Sequence, residues 1–270
     1  MEELDRLVEA IHKSAKYRTV SEEVVRGLGA RELAKGRSLR EAIKATKSKL
    51  HQVGAAYLAG RLPYAQWLER LVQASQDGEP GRIREVCREA MAQHASTRER
   101  LPHLDSFFAQ LLEPIAPVSS VLDVACGLNP LASPWMPLAP MAQYYGCEMY
   151  TDMVAFLNVA MPLLGVQTRI EACDATVSLP AIKTDVALVL KSLPCLEQLV
   201  PSCSTALLRQ IRSDFVVVSY PLRSLGGRDR GMLRNYEQQL WALVEGEGWT
   251  VRRVLFESEL VFVVNKSPRQ

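Results

Sequence analysis

The chain has 270 residues, 23% of them charged, and a formal net charge of +2 at pH 7. Such a composition is typical of a globular protein with one large domain or a medium domain and a smaller companion, and so small a net charge leaves any attraction to polyanions to local clusters. The first residues lack the basic-then-apolar order of a signal peptide, and no apolar run reaches the roughly 20 residues that span a bilayer, so we expect a cytoplasmic protein without membrane contact.

Residues 1–105 are predicted to be helical. Apolar side chains within residues 4–11 recur at the spacing of one helix face, and Ser21 followed by two glutamates is typical of a helix start. Further helices are predicted over residues 38–57, 63–74 and 81–94. This half has no convincing alternating pattern of a half-buried strand, so we predict an all-helical N-terminal domain over residues 1–105.

From residue 119 onward, short apolar segments alternate with helical ones. The predicted strands cover residues 121–125, 143–147, 168–172, 185–190 and 215–219. The clearest helices between them are predicted over residues 153–161 and 195–211. Strands that alternate with helices indicate a parallel, doubly wound sheet whose ligand binds at the carboxyl ends of the strands.

The end of the chain narrows the choice of fold. Residues 249–256 and 260–264 are both rich in strand-forming residues, and the link between them is too short for a crossover helix. The last two strands must therefore be antiparallel. We predict an α/β domain over residues 106–270, with the seven-stranded sheet of a Rossmann-like S-adenosylmethionine-dependent methyltransferase ending in an antiparallel hairpin, rather than a nicotinamide-dependent dehydrogenase.

The segment 121–130 contains the most informative motif. Asp123 lies at the end of the first predicted strand, and Gly127 follows in the turn, where a residue without a Cβ lets a ligand approach the backbone. The dinucleotide fingerprint G-x-G-x-x-G is absent, because Asn129 and Ala132 stand where later glycines are needed. The pattern therefore favours a ligand without a pyrophosphate.

Two further acids follow the next two strands. Glu148 lies 21 residues after Gly127, close to the spacing of a carboxylate that binds ribose hydroxyls. Asp174 follows the third strand, where a short acid can accept a hydrogen bond from an adenine amino group. Any one of these acids could instead cap a helix. Three acids at three successive strand ends favour S-adenosylmethionine as the cofactor.

Four longer segments carry a resemblance to a known family. They are residues 94–101, 123–131, 190–197 and 223–228, followed by Gly231-Met232 and Asn235-Tyr236. Together they resemble the ribosomal RNA guanine-N7 methyltransferases that confer aminoglycoside resistance, and the resemblance runs almost end to end. It implies methylation of guanine 1405 in the decoding site of 16S ribosomal RNA, on the assembled 30S subunit, by a protein that we expect to be a monomer.

The resemblance also implies how the cofactor is held. Arg100, with Tyr57 and Arg98, is expected to close over the methionine part, whose carboxylate suits a bidentate guanidinium. Surface salt bridges are the alternative for the two arginines. The residues that adjoin the other cofactor positions complete the expected set: Ala125, Ala175 and Leu190.

The chemistry of N7 methylation predicts few catalytic groups. Guanine N7 has an exposed lone pair and needs no base, so positioning carries the catalysis. We expect the base to leave its helix to reach the methyl group, which makes base flipping the expectation. Lys191, at the end of the fourth strand, is assigned to positioning on the basis of the family. Cys195 after Pro194 superficially suggests cytosine C5 chemistry, but the acid usually found shortly before such a cysteine is missing.

Basic residues are concentrated in two places. Residues 13–49 contain eleven basic residues against four acidic ones, and four of the basic residues follow helical spacing, as expected of a face that contacts phosphates. A second group surrounds glycines after the fifth strand. The predicted RNA-binding residues are Lys13, Lys16, Arg18, Arg37, Arg40, Lys44 and Lys47 in the first group, and Arg223, Ser224, Arg228, Arg230 and Arg234 in the second.

The six cysteines are scattered without a C-x-x-C pair, so we expect buried, reduced thiols and no metal site. Two other interpretations of the whole chain stay open. One is a methyltransferase of the same fold that acts on another nucleotide or on a small molecule, although a small molecule would not need the basic helical half. The other is a non-catalytic ribosome- or RNA-binding protein on a methyltransferase scaffold, against which the retained acids argue.

Overall fold

The first part of the molecule is helical, as predicted. A computed structural model describes residues 2–55, 57–58, 60–222 and 232–267. Its first helices are α1 (Glu2–His12), α2 (Glu22–Leu33), α3 (Leu39–Leu50), α4 (Tyr64–Gln76), α5 (Pro80–Met91), α6 (Ala95–Arg98) and α7 (Leu104–Leu112). Helix α7 spans the predicted domain boundary at residues 105 and 106, and the division there stays a prediction.

Local side-chain chemistry explains where two of these helices begin. The Ser21 hydroxyl accepts a hydrogen bond from the Val24 amide at 3.3 Å, which confirms the predicted cap of α2. Ser38 and Glu41 form a reciprocal capping box at the start of α3. The helix predicted to continue to residue 57 was too long, because α3 gives way at His51–Ala55 to a wider π-helical turn.

The second part is one seven-stranded sheet. Its strands are β1 (Val118–Val124), β2 (Leu138–Glu148), β3 (Gln167–Ala172), β4 (Lys183–Leu190), β5 (Arg212–Pro221), β6 (Thr250–Leu255) and β7 (Glu259–Asn265). Their order across the sheet is β3-β2-β1-β4-β5-β7-β6. Strands β1 to β5 are parallel, and β7 is antiparallel to both β5 and β6. The predicted fold is confirmed, including the terminal hairpin.

The remaining helices are α8 (Thr151–Leu163), α9 (Leu193–Leu199), α10 (Cys203–Gln210) and α11 (Met232–Val244). The single helix predicted over residues 195–211 was wrong, because the chain forms two helices there. Pro201 disfavours helical backbone at Val200, which is extended, and Ser202 takes a left-handed φ of 65°. Among the described helices, none combines the length and the apolar character needed to cross a membrane.

The helical part and the sheet share a hydrophobic core. Leu7 of α1, Trp67 of α4 and Leu188 of β4 are at most 1% exposed and belong to one apolar cluster. The opposite face of the sheet packs in a second cluster that includes Val189 and Phe262. Because apolar burial is the main stabilising term, this shared core holds the helices against the strand ends that form the site.

Two cysteines differ from the sequence-based expectation. Cys147 in β2 and Cys173 just after β3 form a disulfide, with their Cα atoms 5.6 Å apart. The two strands are parallel neighbours and end side by side, which brings these residues together. The expectation of reduced thiols throughout was therefore wrong for this pair, whereas Cys87, Cys126, Cys195 and Cys203 are free.

Candidate active site

A pocket lies at the carboxyl ends of the central strands, where the order of the sheet reverses between β1 and β4. This is the place where ligands bind in doubly wound sheets. Its walls also include Val24 of α2 and Val53 and Gly54 of the π-helical turn, so the helical part closes one side. Among the assigned site residues, those that line the pocket are Tyr57, Ala125, Gly127, Glu148, Asp174, Ala175, Leu190 and Lys191.

The turn after β1 brings its backbone directly against the pocket. Ala125 and Gly127 both have a φ of 52°, in the left-handed region that favours glycine. The Gly127 amide donates a hydrogen bond to Glu148 Oε2 at 2.8 Å. A Cβ at position 127 would lie 3.0 Å from Cε1 of His94, so a larger residue there would displace the imidazole or the turn.

Glu148 is held by backbone donors at the end of β2. Besides Gly127, the Met149 and Tyr150 amides donate to its Oε1 at 2.8 and 3.2 Å. Burial raises the pKa of the carboxyl group, while these three hydrogen bonds lower it and stabilise the charged form. Since a carboxylate accepts about four hydrogen bonds, acceptor capacity remains for a ligand hydroxyl.

The two carboxylate oxygens of Asp174 differ in their hydrogen bonds to the described residues. Its Oδ1 accepts hydrogen bonds from the Thr176 amide at 2.9 Å and the Thr176 hydroxyl at 2.6 Å. Its Oδ2 is buried and has no hydrogen-bond partner among the described residues, although Nη2 of Arg31 lies 3.5 Å away. The carboxylate is therefore oriented by Thr176 with one oxygen available to a ligand.

Three more polar atoms in the lining lack partners within the described part of the chain: His94 Nδ1, Tyr150 Oη and Ser192 Oγ. Buried polar atoms are normally hydrogen-bonded. Four unsatisfied atoms in one pocket, among alanine, valine and leucine side chains, point to a ligand that is partly apolar and carries several polar groups. An adenosine with an amino-acid tail has this character, so the residues present fit S-adenosylmethionine.

At one end of the pocket, the side chains of Tyr57, His94 and Cys195 are polar but uncharged. Tyr57 stacks on His94 with ring centroids 6.0 Å apart, and its hydroxyl lies 3.0 Å from Cys195 Sγ. Burial lowers the pKa of His94 to about 4, helped by the cations Arg100, Arg98 and Lys191. Burial likewise raises the pKa of Cys195. A protonated thiol is a poor nucleophile, which argues against cytosine C5 chemistry.

Lys191 is the cation of this end of the pocket. It follows the last residue of β4 and takes a φ of 58°. Its ammonium group donates to Glu99 Oε2 at 2.8 Å and to the Ser96 carbonyl at 3.4 Å. The structure thus places the residue assigned to positioning beside His94 and Cys195, in a pair with Glu99.

Three residues assigned to the cofactor lie outside the lining. Asp123 is buried beneath the turn, where it accepts hydrogen bonds from Asn129 and Tyr144. Arg100 is buried too and binds Glu259 and Asn129, while Arg98 is exposed. Asp123 and Arg100 thus have partners within the protein, and the contact of all three residues with the cofactor stays a prediction.

The residues assigned to RNA fall into three groups. Exposed side chains are Lys13, Lys16, Arg18, Arg37, Arg40, Lys44 and Arg234, and Lys47 is half-buried. Arg37 pairs with the buried carboxylate of Glu32. The assigned positions Arg223, Ser224, Arg228 and Arg230 lie outside the described residues. No contact in the structure tests RNA binding, so these assignments stay predictions.

Sequence reasoning missed four groups at the site: His94, Glu99, Tyr150 and Ser192. Three of them could have been found, because they lie in segments that carry the family resemblance: His94 opens the segment 94–101, and Ser192 lies within 190–197. Glu99 lies in the first of these segments as well. Tyr150 belongs to no such segment, and its position against the π-helical turn depends on the packing of the helices.

Comparisons with known proteins agree with this geometry. A family model described as "Ribosomal RNA methyltransferase (FmrO)" matches residues 13–263. A 16S rRNA (guanine(1405)-N(7))-methyltransferase of Frankia casuarinae is 38% identical over 97% of this chain and 94% of its own, and one of Micromonospora echinospora is 35% identical over 97% of both.

Two solved structures of 16S rRNA methyltransferases are also similar to this chain. The 16S rRNA methyltransferase RmtF, crystallised with S-adenosyl-L-homocysteine, is 30% identical over 99% of both chains with a TM-score of 0.83. The 16S rRNA methylase RmtB is 25% identical over 98% of both chains with a TM-score of 0.78. The helices and the sheet are therefore matched together, over almost the whole chain.

Proposed function

The chain belongs to the FmrO family of ribosomal RNA methyltransferases, and we propose that it methylates N7 of guanine 1405 in 16S ribosomal RNA. Its relatives carry this specificity in their names, and it uses S-adenosylmethionine as the methyl donor. We further propose that the substrate is the assembled 30S subunit and that the added methyl group weakens aminoglycoside binding to the decoding site.

One observation of the structure supports this function most directly. Glu148 and Asp174, at the ends of adjacent strands, face one pocket with acceptor capacity that the protein leaves open. We assign Asp174 Oδ2 to the adenine amino group and Glu148 to the ribose hydroxyls. Bound in this pocket, S-adenosylmethionine supplies a methyl group activated by a positively charged sulfur.

The chemistry at the other end of the pocket suits guanine N7. The N7 lone pair needs no deprotonation, and the neighbouring His94 and Cys195 are poor proton acceptors at pH 7, since one is a weak base and the other a protonated thiol. Tyr57, His94 and Lys191 instead bound a space that orients a flat base and excludes water. Positioning of this kind can supply most of the rate acceleration.

The basic helix α3 connects the proposed RNA-binding residues to a wall of the pocket. Arg40 and Lys44 are exposed on it, and the chain continues from α3 directly into the π-helical turn that forms a wall of the pocket. Phosphates bound along α3 would therefore fix the ribosomal RNA in register with the active site. We propose that the basic residues of the helical part bind the 30S subunit in this way.

The direct test is methylation of purified small subunits. Protein is incubated with labelled S-adenosylmethionine and unmodified bacterial 30S subunits, and N7-methylguanine is mapped by borohydride–aniline cleavage and primer extension. We expect one new cleavage, at guanine 1405. Incorporation of label without that cleavage would show another target nucleotide, and the absence of transfer by a protein that binds the cofactor would refute the proposal.

A further inference from the structure

Lys191 is held at both of its ends beside the pocket. Its backbone amide donates to the Ser219 carbonyl at 3.0 Å and to the Ser219 hydroxyl at 3.2 Å. Its side chain is 3% exposed, and the ammonium group is fixed by Glu99 and by the Ser96 carbonyl. Within the described part of the chain, Glu99 is its one carboxylate partner at ion-pair distance.

Glu99 reaches this position from a remote part of the chain. It is the residue after α6, 92 positions before Lys191, and its side chain is 30% exposed. Burial is the main reason for the raised pKa of Tyr57, and the negative charge of Glu99 adds to it. The carboxylate therefore acts electrostatically on the same end of the pocket that contains Tyr57, His94 and Lys191.

The proposed reaction keeps one positive charge at the Lys191 end of the pocket throughout. The bond from sulfur to the methyl carbon breaks as the bond from N7 to that carbon forms. The N7 lone pair supplies the electrons of the new bond, and the sulfur keeps those of the old one. The positive charge thus passes from sulfur to the purine, and no proton is released. A cation beside the reacting atoms would repel both of these states.

Among the described lining residues, Lys191 is the cation and His94 is uncharged. The lining carboxylates Glu148 and Asp174 are held by other groups, three backbone amides for one and Thr176 and Arg31 for the other, and neither lies at ion-pair distance from Lys191. We propose that Glu99 is an electrostatic positioning residue, which neutralises Lys191 so that the pocket accepts a cationic methyl donor and a cationic methylated base. This inference rests on the proposed function for the identity of the base.

Two ligands that differ in charge test the idea without any RNA. S-adenosylmethionine is cationic at sulfur and S-adenosylhomocysteine is not, so the ratio of their affinities reports the local charge. Isothermal titration calorimetry would give both dissociation constants for E99Q, K191M and the double variant E99Q/K191M. One uncompensated unit charge in a partly buried site changes a dissociation constant on the order of threefold to tenfold.

The two single variants should shift the ratio of the two affinities in opposite directions. E99Q removes the carboxylate that pairs with Lys191 and should lower the preference for S-adenosylmethionine by roughly threefold to tenfold. K191M leaves Glu99 uncompensated and should raise it, and the double variant should return to within about twofold of the wild-type ratio. E99D keeps the charge and should keep the ratio, which separates the charge from packing.

An exposed ion pair far from the pocket provides the control. Lys183 begins β4 at its opposite end and lies 3.7 Å from Asp214, with both side chains at least 50% exposed. K183M and D214N should leave the ratio unchanged. The proposal would be overturned if E99Q weakened the binding of both ligands equally, or if E99Q and K191M shifted the affinity ratio in the same direction. If E99Q does not fold, the K191M and E99D measurements decide the proposal.

The affinity ratio is measured without RNA, so this test does not depend on which nucleotide is methylated. If 30S subunits are not methylated but the ratio follows the expected signs, the proposed function fails and the role of Glu99 stands. If the subunits are methylated but the ratio does not respond, Glu99 has no electrostatic role and the proposed function stands.

Discussion

The guanidinium group of Arg100 forms a two-point pair with Glu259. Its Nε donates to Glu259 Oε1 at 2.7 Å and its Nη2 to Oε2 at 3.0 Å, and the two side chains are 1% and 0% exposed. Nη1 also donates to Asn129, and Glu259 accepts from Ser219. The pair therefore connects the helical part, the turn after β1 and the terminal hairpin beneath the active site.

The first prediction concerns the stability that this pair provides. E259Q removes the charge that compensates a fully buried guanidinium, and such a loss typically costs about 3–5 kcal/mol in the free energy of unfolding. The matched variant E237Q removes the carboxylate of the exposed pair Arg253–Glu237 and should cost at most about 1 kcal/mol. Urea denaturation of both variants measures the difference, and equal losses would contradict a structural role for Arg100.

The second prediction concerns the pH dependence of stability. Burial raises the pKa of Asp123 from 3.8 to about 7, although hydrogen bonds from Asn129 and Tyr144 oppose the rise. A carboxyl group with a raised pKa in the folded state favours folding most below its unfolded pKa, and this contribution is lost as pH rises towards 7. D123N should therefore reduce the fall in stability between pH 4 and pH 7, measured by denaturation at several pH values. A slope equal to that of the wild type would show that Asp123 is ionised throughout.

The third prediction separates backbone strain from cofactor binding. Gly127 and Gly78 both have a positive φ, 52° and 64°, but a Cβ would meet His94 only at position 127 and nothing within 4 Å at position 78. G78A should lose about 1 kcal/mol of stability, because alanine disfavours this conformation, and G127A at least as much, because its Cβ also meets the His94 imidazole. Only G127A should weaken S-adenosylhomocysteine binding, as measured by calorimetry. Equal affinities for the two variants would place the cofactor away from this turn.

The fourth prediction tests the adenine contact. D174A removes the carboxylate whose Oδ2 has no hydrogen-bond partner among the described residues, and a hydrogen bond to a charged group contributes about 1.5–3 kcal/mol. The affinity for S-adenosylhomocysteine should therefore fall by roughly tenfold or more. D77A, in the exposed turn after α4, serves as the control and should bind normally. An inosine analogue, which lacks the amino group, should bind D174A and wild type with similar affinity.

The fifth prediction concerns the ribosome-binding face. Arg40 and Lys44 are exposed on α3, and if they contact phosphates the double variant R40A/K44A should bind 30S subunits more weakly and with a smaller dependence on salt. Cofactor affinity should not change. The control is K183A/R209A, which removes two exposed cations that lie outside the assigned groups. A salt dependence equal to that of the wild type would exclude these residues from the interface.

Much of the site could be predicted because its residues are tied to strand ends. Glu148 and Asp174 each follow a short apolar strand, and parallel strands bring their carboxyl ends to one edge of the sheet. The role of Arg100 could not be obtained in the same way. An arginine in a family block suggests a ligand carboxylate, whereas its partner Glu259 is 159 residues away and becomes a neighbour only when β7 pairs with β5.

The sequence by itself determined the helical first part, the parallel sheet with its terminal hairpin, and the two acids of the pocket. These features depend on local periodicity and on residues at strand ends, which the order of the chain records directly. Only the tertiary structure decided that Glu99 pairs with Lys191, that Cys147 meets Cys173, and that Asp123 accepts a hydrogen bond from Tyr144. The physical reason is that these contacts join segments far apart in sequence, so they depend on how the helices and strands pack against one another.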